Sequence, residues 1–569
     1  MGNAQPRKLS FRKKKKVLLP ADDIKEVEKN RNKSHSQEEQ FAPHNNFVTP
    51  LLTDLYELTM VYSYFMWKKH TQIAVFDLFF RKCPFKGQYA VFCGLEDCLR
   101  FLKSFRFTDD DLAYLKDISP SWDPDFFKYL KELDCSEVQL FAQQEGSVCN
   151  PRIPLIRVEG PLGICQLLET TLLNLVNFSS LVATNAARHR QAVGPDVMLL
   201  EFGLRRAQGP DGGMSASRFS FIGGYNGSSN VAAGKRFGIP VKGTHAHSYV
   251  SSFKSFDELH RSKLPYAEEQ KDEQHLDLVK RVMYWRKKLK AEHTNDGELT
   301  AFTAYALDYP GGFIALIDTY SSLKSGMINF VVVAMALIDA GYNPVGVRID
   351  SGDIVAQSIA IKAYFKDIGK EYGRTKITNA VIFASDGITE DSLYDYTARG
   401  KVSAYGVGTN LVTCKKQPAL GGVYKLVSLG GQPRIKLSED PIKTTIPGKK
   451  NAFRIFDKNG RQIFDVMATA EEGELRCGVE HRFRYFSGVD EGKIEVVHVL
   501  KIENLLQRCW NDGAIQCELP TIKELQTFCM KCVDQLPEKH RRKNNPEAYP
   551  LLLTEKLYQN LRSMIEAES

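Results

Sequence analysis

Six times between residues 197 and 409 an apolar run of strand length gives way to a short polar or glycine-rich exit: 197–206, 239–248, 313–321, 345–353, 380–387 and 402–409. Helical patterns at 228–235, 326–340, 353–372 and 388–398 lie between them. Parallel strands cannot be joined by a tight turn, so strands separated by helices form a parallel sheet whose exits leave at one end. Ligands of α/β folds bind at that end. The economical fold is therefore a closed or nearly closed α/β barrel with its polar exits around one mouth. The stretch 255–295, with Glu258, Arg261, Glu268, Lys271, Glu273, Lys280 and Lys290, is too charged for another strand and reads as a solvated helical insertion.

The flanks carry different patterns. Order is expected from about Asn46, with a helix in 48–66 capped by Thr53 or Asp54, strands at 73–81 and 89–94, and helices at 95–105 and 109–133 broken at Pro120 and Pro124. Alternating strands follow in 138–158 and a long helix in 161–192, with Leu168, Leu172, Leu175 and Val176 on one side. Beyond Gly430 come strands at 462–467 and 494–500 and a helical end over 521–566. The expected division is a leader (1–44), an N-terminal α+β domain (45–160), the barrel (161–429, insertion 255–295) and a C-terminal part (430–569). A chain of 569 residues holds about two to four such units.

Charge narrows the partners. The net charge is +8, but residues 1–40 hold eleven Lys or Arg against six Asp or Glu, a net of +5. The body is thus nearly neutral and carries no nucleic-acid footprint. The leader, with Phe11 followed by Arg12 and Lys13–Lys16, reads as disordered, either a plain solvated tail or a nuclear-import or anionic-lipid signal. Pro6 stands where a myristoylation motif wants Ser or Thr. No apolar run is expected to reach the roughly 20 residues of a bilayer span, and no secretory h-region is present, so the cytosol is the expected address. The twelve cysteines read as free thiols. Cys529 and Cys532, with Cys509 and Cys517, are either helix-face cysteines or a zinc set, and their spacing is not that of a zinc ribbon.

The exits suggest the chemistry. Arg205 and Arg206 close the first, Thr244 and His247 the second, Thr319 the third, Arg348, Asp350, Ser351, Gly352 and Asp353 the fourth, Gly387 the fifth, and Gly406, Gly408 and Thr409 the sixth. A strand running into Gly-x-Gly-Thr lets backbone N–H groups close on a phosphate. Paired arginines grip phosphate or carboxylate, and Asp350 and Asp353 could hold Mg2+ or ribose hydroxyls. Together they suggest a phosphorylated sugar bearing a leaving group. Each element has a plainer reading too: Asp353 as a helix cap, His247 as a surface histidine, Tyr56 as a core aromatic.

Five motifs in order, Thr53-Asp54-Leu55-Tyr56-Glu57-Leu58-Thr59-Met60, Glu201-Phe202-Gly203-Leu204-Arg205-Arg206-Ala207-Gln208-Gly209, Gly243-Thr244-x-Ala246-His247-Ser248, Arg348-x-Asp350-Ser351-Gly352-Asp353 and Gly406-Val407-Gly408-Thr409, closely resemble nicotinate phosphoribosyltransferase. The resemblance runs from about Asn45 to the C-terminus. It implies an irregular α/β barrel of the type II phosphoribosyltransferase kind, flanked by a sandwich-like α+β domain built from both ends of the chain, in a homodimer. It implies synthesis of nicotinate mononucleotide from nicotinate and 5-phosphoribosyl 1-diphosphate, the entry to NAD, coupled to ATP with Mg2+ or Mn2+. By the same resemblance His247 is the phosphorylated histidine, and Tyr56, Thr244 and Arg348 contact nicotinate. Arg205, Asp350, Ser351, Gly352, Gly387, Gly406, Gly408 and Thr409 then hold the sugar phosphate, with Asp353 toward the metal.

One departure is His245, where the motif expects an apolar residue. If the strand runs on through it, the rings of His245 and His247 share a face; otherwise it is a passive neighbour. Two other functions remain open: nicotinamide phosphoribosyltransferase, which would differ in recognising an amide, and a non-catalytic binding protein that keeps the barrel as a scaffold.

Overall fold

The computed structural model describes residues 41–267, 274–438, 443–486 and 490–568. The basic leader, and Glu268, Lys271 and Glu273 of the insertion, lie outside the described residues. The N-terminal part contributes α1 (Leu55–Met66), β1 (Ile73–Phe80), β2 (Gln139–Ala142) and β3 (Ile156–Pro161), then the long helix α2 (Glu169–Val193). Asp54 is the N-cap residue of α1 but makes no side-chain cap bond. The Thr53 hydroxyl donates instead to the buried Glu57 (2.6 Å), and Glu57 accepts from the Thr170 backbone (2.9 Å) at the start of α2. Thus Glu57 pins α1 to α2, and Tyr56 is turned outward, 45% exposed, rather than into the core.

The middle of the chain alternates strand and helix: β4 (Met198–Glu201), α3 (Gly209–Ile222), β5 (Gly227–Ser228), α4 (Val231–Phe237), α5 (His247–Ser251), α6 (Leu278–Lys288), α7 (Asp296–Asp308), β6 (Ile314–Leu316), α8 (Met327–Asp339), β7 (Gly346–Ile349), α9 (Ile354–Glu371), β8 (Val381–Ser385), α10 (Glu390–Arg399), β9 (Ala404–Val407) and α11 (Thr409–Thr413). The strands pair in the order β6-β7-β8-β9-β4-β5, every pair parallel. Five of the six expected strands are present. The exception is 239–248: after α4 closes at Gly238, only Val241 pairs, by a single parallel bridge to Ser228. Val241 is 47% exposed, so nothing apolar holds a longer strand there.

The charged insertion also differs from expectation. Lys263–Pro265 and His275–Asp277 form a two-stranded antiparallel ribbon. Leu278, Val282 and Trp285 of α6 are buried in the same core cluster as the apolar helix α8, because charges spaced along one face leave the other free to pack. Two helical stretches, Leu162–Val193 and Ser322–Asp339, are long and apolar enough to cross a membrane, contrary to the reading of the apolar runs. Most of each is packed inside the protein, as for core helices of a large domain.

The C-terminal part returns to the first. It supplies β10 (Gly422–Leu429), β11 (Gln432–Pro433), β12 (Lys450–Phe456), β13 (Gln462–Thr469), β14 (Glu480–Tyr485), β15 (Ile494–His498), β16 (Lys501–Asn504), β17 (Gln507–Asn511), β18 (Ala514–Ile515), α12 (Ile522–Gln535), β19 (Leu551–Thr554) and α13 (Glu555–Glu568). Seven strands order as β11-β10-β1-β3-β2-β17-β18, so both ends of the chain share one sheet. Six more order as β15-β14-β19-β13-β12-β16. The expected helical end is thus interrupted by β19, a buried strand whose leucines fill the space between β13 and β14. Cys529 and Cys532 lie on the buried face of α12.

One buried ion pair ties the last sheet to the first, and a second, within the last sheet, reaches the N-terminal part through hydrogen bonds. Lys450 meets Asp77 of β1 (2.6 Å). Arg454 grips Asp465 with two hydrogen bonds (2.8 and 2.9 Å) and donates to the Val148 carbonyl, while Asn150 donates to Asp465 (2.8 Å). Removing one partner of a buried pair strands the other charge at about 3–5 kcal/mol. Asp465→Ala is therefore expected to lower the urea midpoint by that much stability, and Arg454→Met/Asp465→Leu by clearly less. A loss below about 1 kcal/mol in the single variant would show that this knot is not structural.

Candidate active site

The parallel strands end around a cavity of about 350 Å3. Its centre is Arg348, in β7, whose guanidinium lies over the Phe202 ring (5.5 Å). Arg348 Nε donates to Ser385 Oγ (2.7 Å), NH1 to Thr244 Oγ1 (3.3 Å) and NH2 to Asp350 Oδ1 (3.0 Å). Three exits are tied through one side chain. Three of its five N–H groups are so engaged, leaving one hydrogen on each terminal nitrogen for a ligand.

The first exit is built from below. Glu201, fully buried at the end of β4, accepts from Ser217 Oγ (2.8 Å), Ser228 Oγ (2.5 Å) and the Gly203 backbone. This turns the chain so that Phe202 stacks on Phe383 (5.7 Å) and Arg205 and Arg206 enter the cavity lining. Gly203 and Gly406 have no room for a side chain: a Cβ would lie 2.4 Å from Val412 at the first and 2.4 Å from Phe202 at the second. Opposite stand Gly387, held at φ +59°, then Gly408, Thr409, Asn410 and Lys415. Arg205, Arg206, Arg348 and Lys415 against Asp350 and Asp386 make the lining cationic, as anionic ligands require.

His247 opens α5 beside this cavity, its side chain 44% exposed. Nδ1 lies 3.1 Å from Thr319 Oγ1, and Nε2 faces Asp350 Oδ2 (3.7 Å) and Asp318 Oδ1 (3.9 Å). Asp318, buried, accepts through Oδ2 from the Asp350 backbone (3.1 Å) and Ser351 Oγ (2.5 Å), while its Oδ1 is buried with no hydrogen-bond partner. The His245 ring lies apart from the acids that face His247, and its Nε2 accepts from the Leu316 backbone (3.4 Å) instead. The chain turns into α5 immediately after Ala246, so the two rings do not share a face. His245 is buried against Tyr249 (5.4 Å) and Tyr305 (4.8 Å), and burial pulls its pKa down to about 4.

Of the residues expected from sequence, Arg205, Arg348, Asp350, Gly387, Gly406, Gly408 and Thr409 line the cavity, and Thr244 and His247 join it by contact with Arg348 and Asp350. Ser351 and Gly352 support the turn instead: Gly352 stands at φ +79°, where a Cβ would lie 2.5 Å from Gln357 Nε2. Asp353 caps α9 through Ala356 N (3.0 Å) and is outside the lining. Tyr56 is outside as well, at the junction of α1 and α2. Sequence reasoning missed Asp318, Asn410 and Lys415. Asp318 sits one residue before Thr319 in an exit already recognised, Asn410 directly follows Thr409, and Lys415 lies six residues beyond it. Position in the exit was the available signal.

Comparison with known proteins gives the family. Residues 51–177 match the N-terminal domain of nicotinate phosphoribosyltransferase, residues 338–468 the nicotinate phosphoribosyltransferase family, and residues 449–561 the C-terminal domain. The chain is similar to nicotinate phosphoribosyltransferase 2 of Arabidopsis thaliana, 45% identical over 91% of this chain and 94% of the relative. It is 46% identical to nicotinate phosphoribosyltransferase of Caenorhabditis elegans, over 91% and 94%. Among solved structures, human nicotinic acid phosphoribosyltransferase superposes with a TM-score of 0.80 at 40% identity, over 90% of this chain and 99% of that one. With identity at that level along almost its whole length, the chain belongs to the nicotinate phosphoribosyltransferase family.

Proposed function

We propose that the protein joins nicotinate to 5-phosphoribosyl 1-diphosphate, giving nicotinate mononucleotide and diphosphate in NAD synthesis, with ATP hydrolysis coupled through a phosphohistidine at His247. The observation that carries the reading is the placement of Arg348 between a cationic lining and the exposed His247. In the transfer the pyridine nitrogen attacks the anomeric carbon as the bond to diphosphate oxygen breaks. Positive charge grows on the ribose and negative charge on the leaving group. Asp350 faces the first, and Arg205, Arg206 and Lys415 the second. Gly406, Gly408 and Thr409, with Gly387 opposite, take the 5-phosphate, and Ser351 and Gly352 shape the turn that presents Asp350. Thr244 and the free hydrogens of Arg348 take the nicotinate carboxylate.

For the coupling, a neutral His247 that donates Nδ1–H to Thr319 keeps the Nε2 lone pair for the γ-phosphorus of ATP. An Nε2–P bond forms as the bridging P–O bond breaks and ADP leaves. Bound Mg2+ or Mn2+ would neutralise phosphate oxygens. Asp318 and Asp350 flank Nε2 and are the acids that would face it, with Asp353 offering only the oxygen not used in its cap. No group of three or more His, Cys, Asp or Glu able to hold a metal is present among the described residues, which favours an ion carried in on the diphosphate or ATP.

The assembly reading follows from Tyr56. Exposed and outside the lining, it can stack on nicotinate only if a second copy delivers it, so the homodimer and the Tyr56 assignment stand together. We read the parallel sheet (161–429) as an irregular barrel, supported by the Val241 bridge beyond β5 and by His245 Nε2 meeting Leu316 N of β6 at 3.4 Å. Residues 45–160 and 430–569 form the flanking domain in this reading, and the working compartment is the cytosol.

Three outcomes are expected. Exchanging the nicotinate carboxylate for an amide leaves Arg348 poorly paired, so kcat/KM for nicotinamide falls by about 2–5 kcal/mol in transition-state terms; equal values for the two pyridines reject the assignment. Gly408→Val, which places side-chain atoms against the Phe202 carbonyl, raises KM for phosphoribosyl diphosphate far more than KM for nicotinate; an unmoved sugar-phosphate KM removes the loop from the site. With γ-labelled ATP, His247→Ala loses the acid-labile protein label and ATP stimulation but keeps slow transfer, while His245→Ala keeps the label. Labelling of His247→Ala would identify the wrong acceptor.

A further inference from the structure

Helix α2 packs against α11, and its buried polar side chains reach the residue after Thr409. Asn185 Nδ2 donates to the Asn410 backbone carbonyl at 2.9 Å. One turn further on, the fully buried His189 places Nε2 3.1 Å from Asn410 Oδ1 and Nδ1 2.8 Å from the Tyr225 hydroxyl, itself fully buried. Asn410 lines the cavity, and no described residue accepts a hydrogen bond from its Nδ2.

A neutral imidazole carries one N–H and one lone pair, so the two bonds of His189 must run in one direction. Burial draws the ring down to about pKa 3, and it stays neutral at any ordinary working pH. If Nε2 carries the hydrogen, Asn410 Oδ1 accepts it and Nδ1 accepts from Tyr225. The Asn410 carbonyl is then held on the α2 side, and both amide hydrogens are free for the cavity. In the opposite tautomer the amide would face His189, and a carbonyl oxygen would point into a cavity lined by Arg205, Arg206 and Lys415 for anions.

We propose that His189, oriented by Tyr225, is a positioning residue that fixes the Asn410 amide with its N–H groups presented to phosphate oxygens of the sugar-phosphate substrate. The ligand named here rests on the function proposed above, and the orientation of Asn410 does not. Fixing the amide in advance removes the rotamer freedom that a partly exposed asparagine would otherwise lose on binding.

The test combines kinetics with a measurement on the resting enzyme. In wild-type protein labelled with 15N-histidine, the ring shifts of His189, assigned by their loss in His189→Gln, are expected to show Nε2 protonated and Nδ1 bare. The opposite tautomer overturns the proposal whatever the kinetics. Asn410→Ala should raise KM for phosphoribosyl diphosphate roughly 10- to 150-fold, the size of one lost hydrogen bond to a charged group, and Asn410→Asp further. KM for nicotinate should stay within about twofold, since a phosphate contact leaves pyridine binding untouched. His189→Leu should follow Asn410→Ala, and His189→Gln, which restores a donor near the Nε2 position, should recover most of the loss. Equal damage in the two His189 variants, confined to kcat or stability with the sugar-phosphate KM unmoved, would leave His189 a packing residue and reject the idea. Should the buried variants fail to fold, the Asn410 pair still decides: an unmoved KM for phosphoribosyl diphosphate in both Asn410 variants rejects the proposal. Wild-type enzyme that releases no diphosphate with nicotinate would reject the substrate reading and the ligand named here, while the ring shifts separately decide the Asn410 orientation.

Discussion

A buried helix cannot leave polar side chains unpaired, and α2 buries every residue from Ser179 to His189, among them Ser179, Ser180, Thr184, Asn185, Arg188 and His189. An unmade hydrogen bond at such a position costs about 1–3 kcal/mol. The pairings found for these groups reach four parts of the fold. Ser180 and Thr184 take the backbone N–H groups of Cys93 and Val91 in the N-terminal part, and Asn177, earlier on the helix, takes that of Gly422 in the seven-stranded sheet. Asn185 and His189 reach α11. Arg188 meets Glu390 at the start of α10. Just beyond, Arg190 donates to the Gly224 and Val197 carbonyls ahead of β5 and β4. Satisfying one helix therefore sets the parallel sheet against its flanking sheet.

The candidate site is held in place for a related reason. Parallel strands bring their exits to one rim, but rim position alone would leave long side chains free to move. Arg348 is held by three neighbours and by the ring beneath it, and Asp318 holds Ser351 and the Asp350 backbone. The groups proposed to bind ligand are thus oriented in advance, which lowers the ordering cost of binding.

Much of this was legible in the sequence because strand exits announce themselves: apolar residues end and Gly, Ser, Thr, Asp or Arg begins. That signal located Arg348, Asp350, Gly406 and Thr409 at strand ends. It failed at 239–248, where Ile239 is buried but Val241 is not, so an apolar run too short to pair was mistaken for a strand. It failed again over 255–295, because composition averaged over a segment hides a helix with one buried face. Asp318 and Asn410 escaped notice although both stand in recognised exits, because position in an exit does not say which distant partner, His247 or His189, an ordinary Asp or Asn will meet. The interrupted C-terminal helix has the same cause: Leu551, Leu552 and Leu553 fit helix or strand equally, and only the gap between β13 and β14 decides.

The seven-stranded sheet has a consequence for the chain's birth. Its β2 edge is closed by β17, and the Trp510 Nε1 bond to the Cys135 carbonyl beside it spans 375 positions of sequence. At about 5–20 residues per second of synthesis, β2 waits roughly 20–75 s for its partner strand. Throughout that interval the growing polypeptide presents an unpaired strand edge, the kind of surface that recruits other chains. The burden of shielding that edge falls on the ribosome-bound stage, and slower synthesis lengthens it.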